Sequence, residues 1–341
     1  MASRFGALTQ VRGMGPLPDI VLAEHGEQVL AALFRRHDLP VTAVEHKDLR
    51  IPLIDMVDLF ESAARLSGDP FLGLRVGQLM RPSDYGPYLQ HAAAADTLAG
   101  GIRRAIRGLR YYQAAGSLRL QLRGDEAHFT YRQHVASAES GRQHADHVLP
   151  TVLSFVRGFL GEDWLPNRYL VPYPRHGQHG RLEECLGGAV AFGQDGVGIA
   201  FSRSLLSMRA TAVEAADRPD WQDLRDLVRR RPSDSLGSAL ADVLAVRLLD
   251  GQVDLAGAAA RLRLSPRTLQ RQLAAEGGSY RAILEDVRFA SARRLLVETR
   301  LTAGEIAFRL GYAEHPHFTR AFGRRSGCSP TDFRHRIRGT G

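Results

Sequence analysis

The sequence predicts two architectures in one chain: an α+β amino-terminal domain, followed by an all-α domain in which a long helix joins two helix-turn-helix units. Three observations carry this expectation. Alternating and helical apolar periods mix up to residue 208, whereas only the helical period survives from residue 236 to 338. Charge segregates as well, because 16 Arg and 8 Asp or Glu lie in residues 251–341, which therefore carry the whole net charge of +8 while the preceding 250 residues balance. Finally, 341 residues are enough to bury two separate cores.

Taking the elements in order, residues 20 to 66 read as helical. Val21, Leu22, Val29, Leu30 and Leu33 recur at helical spacing, as do Leu53, Ile54, Val57, Leu59, Phe60 and Leu66. Beyond the Gly86-Pro87 breaker two more helices follow, the second with Ile102, Ile106 and Leu109 on one face and an end near Gly116. SLRLQLRGDEAHFTYRQ then alternates, with Leu118, Leu120 and Leu122 on one side, a Gly124-Asp125 turn, and Phe129 and Tyr131 on the return strand. A helix is expected through residues 147–161. RYLVPY, AVAFG and VGIAFS then read as short strands, with Asp195-Gly196 marking a hairpin between the last two. Residues 1–208 form one domain on this reading, and residues 209–235, with Pro219, Pro232 and RRRPSDS, form a linker.

Several function classes are excluded by what the chain lacks. The first fifteen residues are too weakly apolar for a secretory leader, and no run of about 18 uncharged apolar residues follows, so a cytoplasmic protein without a membrane partner is expected. Cys185 and Cys328 are too far apart in sequence for a C-x-x-C knuckle. His144 and His147, His176 and His179, and His315 and His317 are closely spaced pairs, but without paired cysteines or an H-E-x-x-H run they read as surface or hydrogen-bonding groups. No metal or cofactor is expected. G-x-G-x-x-G after a strand, G-x-S-x-G and G-x-x-x-x-G-K are all absent and Lys47 is the only lysine, so no catalytic residue is selected.

The helical half carries chemistry of another kind. Asp254 is placed to cap a first helix, and Ser265 followed by Pro266 starts a second, because the hydroxyl accepts an orphan amide and proline has none to satisfy. With Leu269 and Leu273 on the buried stripe, Arg267, Gln270 and Arg271 are left outside. Arg can bind guanine O6 and N7 bidentately and Gln can bind adenine N6 and N7, so this helix can read base edges in a major groove. The pattern recurs 49 residues later. Thr302 and Glu305 form a capping box, Ile306, Ala307 and Leu310 an apolar face, Gly311 a turn, and the next helix turns Phe318 and Phe322 inward with His317 and Arg320 outward. Between the units Ile283, Leu284, Val287, Ala290, Leu295 and Leu296 form a core-facing band on a long helix.

SPRTLQRQL, Gly277, Arg288, the Ala292 to Leu296 run, IAFRLGY, HFTRAF, Gly327-Cys328-Ser329-Pro330 and Phe333-Arg334 together resemble the DNA-binding domain of the AraC/XylS family of bacterial transcription regulators. The resemblance implies that Arg267, Gln270 and Arg271 read bases in the first unit and Pro316, His317 and Arg320 in the second. Pro316 departs from the usual polar residue and offers no side-chain hydrogen bond, so specificity leans on the first helix. Arg261, Arg263, Arg309, Arg324 and Arg325 are assigned to phosphates, which position a protein without reading sequence.

GDPFLGLRVG, Thr97-Leu98 before GIRRAIRGLRYY, and GGAVAFGQDGVGIAFSRSLL are similar to the arabinose-binding-type amino-terminal domain of a subgroup of that family. This implies effector sensing and self-association, with no commitment to arabinose. Tyr85, Tyr88, Arg107, Tyr111 and Tyr131 are the effector-binding candidates, and Tyr112, Phe129 and Trp164 are further aromatics suited to line a pocket, since tyrosine supplies both area and a hydroxyl. The expected function is a sequence-specific transcription regulator, an activator, with double-stranded promoter DNA, a small-molecule effector, RNA polymerase and a second copy of the chain as partners. A DNA-architectural protein without an effector, or an enzyme with an unfamiliar amino-terminal site, are the alternatives.

Overall fold

A computed structural model describes residues 7–175, 177, 179–209, 235–312 and 314–338. The expected linker at 209–235 lies outside these, apart from its two end residues, as does His176. The chain divides into two compact units, one of residues 7–37 and 52–209, the other of residues 38–51 and 235–338. Among the described residues no helix is long and apolar enough to cross a membrane.

In the first unit the helices are α1 (Leu17–His25), α2 (Glu27–Arg36), α3 (Leu53–Ser67), α4 (Leu72–Gln78), α5 (Pro87–Ala93), α6 (Leu98–Tyr112), α7 (Arg142–Leu160) and α8 (His179–Leu186), of which α4 and α8 fall outside the segments that read as helical. Thr97 caps α6 by accepting from the Gly100 amide at 3.1 Å, and the face bearing Ile102, Ala105 and Leu109 is buried. Strand β1 (Leu8–Gln10) precedes them, and the three-residue strand β2 (Arg50–Pro52), whose first two residues belong to the second unit, leads into α3.

The main sheet has five strands in the order β3-β4-β7-β5-β6, with β3 (Gly116–Arg123), β4 (Glu126–Gln133), β5 (Arg168–Leu170), β6 (Val190–Ala191) and β7 (Val197–Ser202). The Gly124-Asp125 hairpin is present, pairing Leu118 with Tyr131 and Leu120 with Phe129. The hairpin expected at Asp195-Gly196 is not. β7 lies between β4 and β5, so both of its edges are already bonded, and β6 pairs instead with β5 in parallel. All five apolar or glycine positions at the start of β7 are buried, as suits a central strand. Helix α7 crosses this sheet and α4 lies along α7. A Cβ on Gly73 or Gly77 would run into the backbone carbonyls of Gln143 and His147, so glycine at these two positions is what allows that approach.

The second unit is helical among its described residues 235–338: α9 (Leu236–Arg247), α10 (Leu255–Arg261), α11 (Pro266–Ala275), α12 (Tyr280–Glu298), α13 (Ala303–Arg309), α14 (His315–Ser326) and α15 (Pro330–Arg338). Helix α12 connects the two pairs α10–α11 and α13–α14. Leu284, Val287, Ala292 and Leu296 are its buried residues, whereas Ala290, expected on the same band, faces solvent one step around the helix. Three side chains tie α12 to its neighbours through backbone carbonyls. Arg288 donates to Leu310 and Gly311 at 2.8 Å each, Arg334 donates to Leu296 at 3.1 Å, and Tyr280 donates to Val253 at 2.6 Å. Glu276 accepts from the Leu236 and Gly237 amides, placing a carboxylate on the positive end of α9.

Candidate nucleic-acid interface and a buried cavity

The first reading helix is held by its ends and its inner stripe. Ser265 accepts from the Thr268 amide at 3.1 Å and Pro266 opens α11, while Leu269 and Leu273 are 0% and 1% exposed. Arg267, Gln270 and Arg271 are consequently all exposed. Asp254 caps α10 by accepting from the Gly257 amide at 2.6 Å, a bond that, with Arg247, lowers its carboxyl pKa. Arg263, in the turn between α10 and α11, takes the left-handed region at φ 55° and is exposed.

The second pair repeats this construction. The Thr302 hydroxyl accepts from the Glu305 amide, and the Glu305 carboxylate accepts from the Thr302 amide at 2.7 Å. Ile306, Ala307 and Leu310 are buried, Gly311 turns the chain at φ 68°, and α14 begins with His315 and Pro316. Phe318 and Phe322 are 1% and 2% exposed, and Pro316, His317 and Arg320 stand outward. A recess beside α14 brings His317, Arg320 and Arg324 together with Arg281 and Arg288 of α12. Arg281 was not singled out by sequence, since its position in α12 looks like that of any solvated arginine; only the packing of α12 against α14 shows it facing the same recess.

The arginines assigned to phosphates do not share one environment. Arg263, Arg309 and Arg324 are exposed. Arg261 instead is only 15% exposed, 3.8 Å from the Asp38 carboxylate, which also accepts from Arg247. Arg325 is ion-paired to Asp286 and lies over the Phe289 ring. The carboxylates of Asp38 and Asp286 thus engage two of the five guanidinium groups, and neither carboxylate could be matched to its arginine by sequence spacing alone.

The first unit has a partly open apolar cavity of about 70 Å³ between β3–β4 and helices α5, α6 and α7. Tyr85, Tyr88 and Tyr131 from the expected effector set line it, joined by Tyr112 and Phe129. Arg107 is exposed on the outer face of α6, and Tyr111 is half-buried beside Arg110, so neither reaches the lining. Trp164 is elsewhere, edge-on to Phe201. His144 and His147, which read from sequence as surface or hydrogen-bonding groups, are not on the surface: both are buried and line the cavity from α7. Burial lowers the His144 pKa to about 4; burial and then the neighbouring His144 hold His147 well below the usual imidazole range. Both are neutral at pH 7. Among the described residues no cluster of three His, Cys, Asp or Glu could hold a metal ion.

These histidines predict a pH dependence. Between pH 6.5 and about 4 the folded chain binds fewer protons than the unfolded one at His144, so acidification favours unfolding across that window. Asp146 works in the opposite direction, because burial raises its pKa to about 6. Comparison with His144→Phe removes that background. The unsubstituted protein is expected to lose several degrees more of Tm than the variant between pH 6.5 and 4, read by thermal denaturation. Parallel profiles would mean that His144 is protonated in the folded state.

The two capped helix pairs, each with a buried apolar stripe and an exposed polar reading face, define a helix-turn-helix protein that binds double-stranded DNA. A profile for the arabinose-binding domain of AraC transcription regulators matches residues 29–210, and one for a helix-turn-helix domain matches residues 258–336. The chain therefore belongs to the AraC family of transcription regulators, not to an enzyme family. It is similar over most of its length to the ornithine utilization regulator of Pseudomonas aeruginosa, at 28% identity over 92% of this chain and 93% of the relative. It is likewise similar to the transcriptional regulator VirS of Mycobacterium tuberculosis, at 28% identity over 96% of this chain and 97% of that one. The transcriptional activator NphR of a Rhodococcus species is 30% identical over 41% of this chain and 40% of its own length.

Proposed function

We propose that this chain is a ligand-biased activator of transcription that works in the cytoplasm as a homodimer. On this reading Arg267, Gln270 and Arg271 read bases in one major groove, and Pro316, His317 and Arg320 meet the next. Arg263, Arg309, Arg324 and the newly placed Arg281 hold phosphates, whereas Arg261 and Arg325 serve mainly to brace the fold. The amino-terminal unit binds a small molecule unequally in two states and so changes how the reading helices are presented to the promoter and to RNA polymerase. A homodimer lengthens the recognised site.

The observation that carries this reading is the pair of polar helix faces exposed opposite Leu269–Leu273 and Phe318–Phe322. The amino-terminal match to an effector-domain profile and the cavity within it support the ligand response. The name of the NphR relative supports activation.

Selection from a random duplex pool by the full-length protein at about 0.15 M salt tests the reading. A motif spanning two successive major grooves is the expected result; strongly salt-sensitive binding with no motif would favour an architectural protein. Arg271→Ala is expected to cost about 1–3 kcal/mol of discrimination at one base pair of that motif. An equal loss on every duplex, seen by titration of matched and mismatched sites, would reassign Arg271 to a phosphate.

A further inference from the structure

The cavity of the first unit has a wall chemistry that selects among ligands. Among the described residues its lining contains no Arg, Lys, Asp or Glu, and Arg12, whose charge acts on Tyr112, stands outside it. An ionised ligand would therefore lose its hydration with no opposite charge in the wall to replace it. Six aromatic side chains stand in the wall; the Tyr88 and Tyr112 rings stack at 5.6 Å, and Phe129 meets Phe155 at 6.2 Å. Such faces and edges favour another ring or a compact apolar body.

The polar groups in the wall are mostly satisfied by one another. The Tyr85 hydroxyl meets Thr151 at 3.1 Å and His147 Nε2 at 3.3 Å, Tyr131 accepts from Gln113, and Tyr88 donates to the Ala105 carbonyl at 3.1 Å. Two buried atoms have no partner, the Nδ1 nitrogens of His144 and His147, whose residues are 4% and 2% exposed. A buried polar atom without a partner is uncommon and is a place where a ligand group completes the set. A neutral imidazole nitrogen accepts or donates according to tautomer, and a hydroxyl can complement either state.

Size narrows the ligand further. A cavity of about 150 Å³ holds benzene, and the partly open cavity here offers about 70 Å³. A single ring is the upper limit, and it fits only if part of the wall yields. Tyr131 and His144 form the part of the wall that also lines a wider, more polar recess of about 450 Å³ on its other side. These two side chains are therefore the part of the wall with space behind it.

We propose that this cavity binds a small uncharged molecule of single-ring size with an apolar body and one hydroxyl, a phenol-class ligand, whose hydroxyl bonds to His144 or His147 Nδ1. The proposal rests on the effector reading above and names the chemistry of that effector.

The test uses 4-fluorophenol and 4-fluorobenzoate as probes of the full-length protein, with binding read by fluorine NMR at pH 7. Saturable binding of 4-fluorophenol, at least tenfold tighter than 4-fluorobenzoate, is expected. Ala105→Leu, which fills the chamber from α6, should abolish it, and one of the two substitutions His144→Phe and His147→Phe should weaken it at least tenfold. Equal or tighter binding of the benzoate overturns the proposal, as does failure of either probe to bind the unsubstituted protein, a comparison that needs no variant. Unchanged phenol binding in a folded Ala105→Leu protein overturns it too. Titration of the selected DNA site with the same samples separates this from the broader reading. Phenol binding that leaves DNA affinity unchanged keeps the site and removes the effector role; DNA affinity moved by the benzoate alone keeps a ligand response and removes the phenol-class site.

Discussion

Phe322→Ala is expected to destabilise the second helix-turn-helix pair by about 3–5 kcal/mol. Phe322 is 2% exposed and its ring meets Phe289 at 5.2 Å, Phe333 at 5.3 Å and Phe318 at 5.9 Å. Rings from α12, α14 and α15 converge on this one side chain, so its removal leaves a void bounded by three helices that other bonds hold in place. Arg334 ties α15 to the Leu296 and Leu301 carbonyls and Arg288 ties α12 to the α13–α14 turn, which limits collapse into the gap. Hydrogen exchange of the full-length protein is the suited measurement, because amides of α12, α14 and α15 should lose protection together while those of the first unit keep theirs. A loss below about 1 kcal/mol would show that the cluster repacks freely. Because Phe318 and Phe322 orient the exposed face of α14, DNA binding, which we propose to involve His317 and Arg320, should weaken along with the fold.

Leu269→Ala is expected to cost about 2–5 kcal/mol in the first pair. Leu269 is 0% exposed, and it lies two residues from the exposed Arg271 on the opposite side of α11. The two substitutions therefore separate presentation from recognition. Leu269→Ala should lower thermal stability in the absence of DNA, whereas Arg271→Ala should leave it within about 0.5 kcal/mol, as for surface positions generally. Unchanged stability of Leu269→Ala would place the buried stripe of α11 elsewhere and reassign the reading face with it.

The helix-turn-helix half was almost wholly legible in the chain because its signals are local. Ser265-Pro266, the Thr302–Glu305 box and the stripes of Leu269–Leu273 and Phe318–Phe322 each act within one or two helical turns, and each occurs where expected. The Gly124-Asp125 hairpin was legible for the same reason, since a two-residue turn and its flanking alternation are contiguous.

What escaped was set by partners distant in sequence. Asp195-Gly196 has the composition of a hairpin turn, but β7 takes β4 and β5 as neighbours, a choice made by the whole sheet. Arg261 and Arg325 look like free cations until folding places Asp38 and Asp286 beside them. The cavity repeats the point. Tyrosines were recognised as suitable for its wall by residue type, yet Tyr111 and Arg107 lie outside while His144 and His147 lie inside. Periodicity tells which face of a helix turns inward, but which neighbour that face meets depends on contacts between segments distant in sequence. Residue chemistry and local period thus specify the helices, the capped reading units and the class of regulator. The ion pairs and the apolar chamber exist only once those helices are packed.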